Sequence, residues 1–190
     1  GVGTDDIFQA MCVKCDEGHN LHVDLGTISG VIPREEAALG IREGSKEHRE
    51  ILAVYNAIRP LPRGYRVLES DAWCAAFVTV SALQSGLTDL IPPECSCARQ
   101  VKLFQELDRW EEHDAYRPLP GDILYYDWDF SKKLDCTGWP DHVGIVVGTY
   151  GPFIRVMEGN KDDDASFRVI WRNDWRIRGY GLPDYASKCE

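Results

Sequence analysis

The sequence has no apolar run approaching the ~20 residues that a helix needs to cross a bilayer, which excludes a spanning helix of that kind. Basic residues are scarce. Lys and Arg number 21 against 31 Asp and Glu, a formal net charge of -10, and such a chain repels both nucleic-acid phosphates and an anionic membrane surface. No basic stretch leads into an apolar one at the N-terminus, so the chain does not read as carrying a signal peptide; synthesis in the cytoplasm is expected. Low-complexity tracts and internal repeats are also missing. Seven cysteines cannot all pair within one chain, which argues against a fully cross-linked secreted framework and for a reducing compartment.

With 190 residues, 44% of them hydrophobic, the chain can bury one real core. The expected organisation is an N-terminal extension over residues 1–32 and one globular domain over 33–190. Pro33, Glu35 and Glu36 suit a helix start, ended by Gly40 or Gly44. A second helix is expected from Ser45, with Ile51, Val54, Tyr55 and Ile58 on its buried face and Pro60 and Pro62 stopping it. A third is expected from Ser70 as N-cap through Trp73, Phe77, Val80 and Leu83 to Gly86, and a short amphipathic one over 99–107. Strands are expected over Ile123–Trp128, Val143–Gly148, Phe153–Glu158 and Phe167–Trp171. Helices first and an antiparallel sheet second give the α+β class.

Within this frame Cys74 falls in the first turn of a helix, where free backbone N–H groups and the helix dipole favour a thiolate. His142 opens a strand and can serve as its base. A cysteine hydrolase also needs a group that orients the imidazole. A hairpin turning at Thr149-Tyr150-Gly151 would set Glu158 directly across from His142 on one face, with Asn160 one alternation further. Taken singly, a helical Cys is most often a small core residue and a strand His a structural one. The weight comes from helix-Cys, strand-His and strand-Glu occurring in that order.

The runs Trp73-Cys74-Ala75-Ala76-Phe77-Val78, Pro120-Gly121-Asp122-Ile123, His142-Val143-Gly144-Ile145-Val146 and Glu158-Gly159-Asn160 resemble the CHAP family, the cysteine- and histidine-dependent amidohydrolases/peptidases of phage lysins and bacterial cell-wall hydrolases. The resemblance covers roughly residues 34 to 182. It implies a papain-like α+β fold with the cysteine helix packed on an antiparallel sheet. It also implies hydrolysis of an amide in the peptidoglycan stem peptide, as an N-acetylmuramoyl-L-alanine amidase or endopeptidase acting at the bacterial wall after phage release or export. By position Cys74 is the nucleophile, His142 the base and acid, Glu158 the orienting group and Asn160 a further polar member. No cofactor is required, and the partner is the stem peptide. Trp73, Tyr126, Trp128 and Trp139 are candidates to line the cleft, against a core role for each. Asp141 is better placed to cap a turn than to join the site.

Other signals are weaker. Cys12, Cys15, His19 and His22 are zinc-ligand residue types, but their two pairs lie closer together than finger spacings allow; a disulfide, free thiols or a disordered tail compete with a metal. Asp162-Asp163-Asp164 suits calcium less well than it suits a solvated turn. Cys95 and Cys97 are too close in sequence for an unstrained mutual bridge, and for each a substrate-side place and simple burial stay open. Cys136 lies in a loop with no helix start to activate it. The rival functions are a non-catalytic wall-peptide-binding or phage tail module of the same fold, and a cysteine amidase acting on a non-wall amide.

Overall fold

A computed structural model describes residues 40–128 and 138–188 in full, and the backbone course of 11–15, 21–24 and 29–32. These three short segments are strands β1 (Met11–Cys15), β2 (Leu21–Asp24) and β3 (Ser29–Ile32), paired antiparallel in the order β1-β2-β3. Cys12 and Cys15 fall on β1 and His22 on β2; His19, Cys136 and residues 33–39 of the helix expected from Pro33 lie outside the described residues, and residues 40–44 are not helical.

Helix α1 spans Lys46–Asn56 and starts where expected, because the Ser45 hydroxyl accepts the His48 N–H at 3.1 Å and satisfies one of the donors that a helix start leaves free. Helix α2, Cys74–Gln84, begins later than its sequence suggests. Ser70 is not its cap: Asp71 accepts the Leu68 N–H and the Tyr65 hydroxyl at 2.8 and 2.9 Å, and its own N–H bonds the Leu68 carbonyl, closing a turn that holds the chain out of helix until Trp73. Cys74 is therefore the first residue of the helix. The sequence Cys-Ala-Ala-Phe-Val-Thr-Val is buried from Cys74 to Val80, as an all-round apolar helix must be. Helix α3, Cys97–Glu106, opens at a Ser96 cap two residues before the expected start.

Among the described residues a second sheet follows, built from β4 (Trp110–Glu111), β5 (Ile123–Tyr126), β6 (His142–Tyr150), β7 (Phe153–Lys161), β8 (Asp164–Trp171) and β9 (Ile177–Gly181). Its spatial order is β4-β9-β5-β6-β7-β8, with every pairing antiparallel. The fold is α+β. α2 packs across β6 and β7, and one apolar cluster joins Trp73, Phe77 and Val80 to Tyr125, Val143 and Met157. The opposite face buries Leu124, Tyr126, Val146, Ile154 and Val156. Gly159 lets α2 sit close, since a Cβ there would lie 2.5 Å from that of Phe77.

Two ties fix α3 relative to α2 and the sheet. Thr79 on α2 donates to the Glu94 carbonyl at 2.6 Å and accepts the Glu94 N–H at 2.9 Å. Tyr125 on β5 donates to Gln100 of α3 at 2.9 Å. The N-termini of α2 and α3 are thereby held against each other.

Candidate active site

The β6–β7 hairpin corrects the expected register. Its turn is Gly151-Pro152 rather than a loop centred on Tyr150, because Tyr150 pairs with Phe153. A bulge between Val146 and Gly148 then shifts the pairing by one residue, so Glu158 stands across from Gly144, not His142. The two offsets preserve parity, and Glu158 stays on the face of His142 one alternation away. Gly144 makes the diagonal reach possible: a Cβ at this position would lie 2.7 Å from Glu158 Cγ and 2.6 Å from Val156. The carboxylate crosses that space and meets His142 Nε2 at 3.0 Å. Gly144→Val is expected to displace Glu158, lowering both the melting temperature and the pKa of His142, which a histidine NMR titration reads; an unchanged titration would disprove this role.

Glu158 is fully buried and accepts from Arg168 Nε at 2.9 Å on both carboxylate oxygens. The Tyr126 hydroxyl, buried and without a closer partner, faces the same carboxylate. Burial by itself would raise the Glu158 pKa, but His142 and Arg168 outweigh it and hold the group below its ordinary value. Burial likewise opposes a charge on His142, yet its bonds to Cys74 and Glu158 raise it to about 9. With Nε2 on Glu158, the other ring nitrogen is left for the sulfur.

Cys74 is 3% exposed. Its pKa is held well below that of an ordinary thiol, first by a hydrogen bond from Cys97, against the cost of burial, then by His142 and the Ala75 N–H. The sulfurs of Cys74 and Cys97 lie 3.7 Å apart. Cys97 is pushed the other way, chiefly by its bond to Cys74 and by burial. The asymmetry has a physical source: the imidazole lies beside Cys74, so the negative charge settles there and Cys97 keeps its proton.

An open cleft of about 350 Å³ beside His142 is lined by Trp128, Asn160, Lys161, Asp162 and Arg168. The Arg168 and Arg176 guanidinium groups lie over the Trp128 ring, 4.6 and 4.7 Å from its centroid. Asn160 adopts a left-handed backbone, φ 59°, at the bulge that ends regular β7–β8 pairing. Three of the aromatic expectations are corrected. Trp73 has no exposed surface and meets His48 in a tilted contact and Phe77 edge-on; the apolar α2 start draws it into the core. Tyr126 is also fully buried, with its ring 5.6 Å from that of His142. Trp139 is 71% exposed and lies outside the cleft lining. Asp141 accepts the Trp128 N–H at 2.9 to 3.0 Å, which makes it a turn cap.

The acidic run closes the β7–β8 hairpin. Asp162 and Asp163 both have positive φ, 53° and 64°, between the paired Lys161 and Asp164, as a tight two-residue hairpin turn demands. Asp162 pairs with Lys161 at 2.8 Å and Asp164 with Arg42 at 3.7 Å. Among the described residues no three His, Cys, Asp or Glu side chains converge as a metal site, and no helix is long and apolar enough to cross a membrane. Cys95 is half-buried against Arg63, 3.3 Å from Nη2.

Arg168 is a site residue with no signal in the sequence, and Cys97, left there between a substrate-side place and burial, is buried against Cys74. Parity counted from the Asp162-Asp163 turn alone would select Phe167; the bulge between Glu158 and Lys161 shifts the register by one residue and brings Arg168 onto the face of Glu158. Ser96 as a helix cap was the available signal for Cys97. No protein-family model matches the chain, and comparison with curated proteins and with solved structures gives no match.

Proposed function

We propose that the protein is a cysteine amidohydrolase of CHAP type, with a papain-like arrangement of helix and sheet, that cleaves an amide bond in the peptidoglycan stem peptide. The observation that carries this reading is the chain of contacts from Cys74, the first residue of α2, through His142 to the buried Glu158. The Cys74 thiolate attacks the amide carbonyl. Backbone N–H groups that the first turn of α2 leaves unpaired, that of Cys74 included, stabilise the oxyanion. His142 then gives its proton to the leaving amine, and an acyl-enzyme remains on Cys74. Water activated by His142 releases the acid. Glu158 holds the ring and stabilises its charge, Arg168 keeps Glu158 ionised, and Asn160 and Trp128 flank the incoming peptide.

A Cys–His ion pair persists between the depressed pKa of Cys74 and the raised pKa of His142. The kcat/KM of the free enzyme should therefore hold level through neutral pH and fall as pH rises through about 9. The stability that His142 contributes is complete below its ordinary 6.5 and is lost as pH rises through about 9. A basic limb centred near 6.5 would contradict the paired state.

Digestion of purified sacculi, with mass spectrometry of the soluble fragments, tests the function directly: new amino termini in the stem peptide are the expected product. The burial of Cys74 favours a second reading, a module of the same fold that holds wall peptide without cutting it. Binding to sacculi with no fragments released would select that reading, and cleavage of other amides with sacculi left intact would select a non-wall amidase.

A further inference from the structure

Cys97 takes no chemical step in amide hydrolysis, yet it is buried against the sulfur that does the chemistry, 3.7 Å away and 23 residues along the chain. Each of the two cysteines is the first residue of its helix. The helix ends are fixed by the Thr79–Glu94 and Tyr125–Gln100 bonds and by a shared apolar cluster, so the contact is built into the core. We infer that Cys74 and Cys97 form an oxidative modification site, in which a hydroperoxide converts the thiol pair into a reversible Cys74–Cys97 disulfide that occupies the nucleophile.

The chemistry balances on groups already present. The Cys74 thiolate attacks one peroxide oxygen, the O–O bond breaks, and the leaving alkoxide takes the proton of the His142 imidazolium. Sulfur loses two electrons and becomes the sulfenic acid, while the peroxide is reduced to an alcohol, or to water from hydrogen peroxide. His142, now neutral, accepts the Cys97 proton. The Cys97 sulfur attacks the Cys74 sulfur, the S–O bond breaks, and hydroxide leaves with the proton from His142 as water. Two thiols and one hydroperoxide give one disulfide, one alcohol and one water. A small dithiol reverses the change by exchange and is itself oxidised.

The roles follow from position. Cys74 faces His142 and is the sulfur that reacts with oxidant; Cys97 keeps its proton and is the resolving thiol. Hydrogen peroxide is hardly larger than water and needs less access than a peptide does. Without Cys97 the sulfenic acid has no neighbouring thiol among the described residues and proceeds to the sulfinic acid, which thiols do not reduce. The pair therefore protects the nucleophile as well as silencing it.

The test uses the full chain, reduced, freed of reductant and treated with hydrogen peroxide. A glutamate-specific protease cuts after Glu94 and separates Cys74 from Cys95 and Cys97, and fragmentation of the product under non-reducing conditions then locates the bond. The expected result is a Cys74–Cys97 cross-link as the main product of Cys74, lighter by two hydrogens than the free peptides and released by dithiothreitol. In Cys97→Ser the same treatment should give Cys74 sulfinic acid that dithiothreitol leaves unchanged, whereas Cys95→Ser should behave as the parent. Cys74 recovered as a free thiol, as sulfinic acid in the parent chain, or joined to a different cysteine would overturn the proposal. The cross-link is read on the thiols alone, so it is tested whether or not Cys74 cleaves an amide. If sacculi are digested, their digestion should stop on oxidation and return on reduction.

Discussion

Cys74→Ala is expected to abolish release of stem-peptide fragments from purified sacculi, a loss on the order of 10⁴- to 10⁶-fold, as removal of a covalent nucleophile produces elsewhere. No other described group can take its place. Cys97 is buried behind it with its proton retained, and Cys95 lies against Arg63. The fold should survive, since the change removes one sulfur from a helix whose next two residues are already alanine. Circular dichroism and a cooperative melt check this. A folded Cys74→Ala protein with full activity would end the proposal of Cys74 chemistry, while a Cys74→Ser protein should fold and remain all but inactive.

Glu158→Gln should have the next largest effect, because one carboxylate serves two cations. In the parent chain it meets His142 at 3.0 Å and Arg168 at 2.9 Å with no exposure of its own. A neutral amide of the same shape leaves both partners without their counter-charge. Loss of the orienting carboxylate in comparable triads costs about 10⁴-fold in rate, and a fall of roughly 10²- to 10⁴-fold is expected here. The His142 pKa should drop from about 9 towards its ordinary 6.5, and the basic limb of activity should move with it. A merely structural role would leave that limb in place. Stability should fall by on the order of 3 kcal/mol, as when one member of a buried ion pair is removed. Arg168 remains partly exposed, so the larger share comes from His142. The sign with pH is fixed by the lowered pKa of Glu158. Its contribution is in place above the ordinary 4.5 and vanishes as pH falls through the lowered value, so parent and variant should converge in acid.

Arg168 and Gly144 show why such a site rests on more than three residues. Arg168 ties the carboxylate to β8 and covers one face of Trp128. Gly144 leaves the room through which Glu158 reaches His142. Neither carries out a chemical step, and each sets whether the steps have the right geometry.

Much of this was legible in the sequence because it depends on local chemistry. Ser45 caps α1, and the apolar run from Cys74 to Val80 dictates a buried helix. The alternation through β6 and β7 is period 2, and His142 and Glu158 share a face because the Gly151-Pro152 turn and the bulge between Val146 and Gly148 offset each other. The rest was not legible, because it depends on how segments distant in sequence meet. The Asp71 turn delays α2 to Cys74. A bulge between Val146 and Gly148 replaces direct opposition by a diagonal contact, and no local pattern distinguishes the two. Trp73 and Tyr126 carry the same aromatic signal as Trp128, but only packing sends the first two into the core and leaves the third at the cleft. The sequence by itself determined the α+β class and the helix that bears Cys74, both consequences of hydrophobic patterning. Only the tertiary structure decided that Arg168 completes the carboxylate site and that Cys97 touches Cys74, because both contacts join elements whose mutual placement is set by the core.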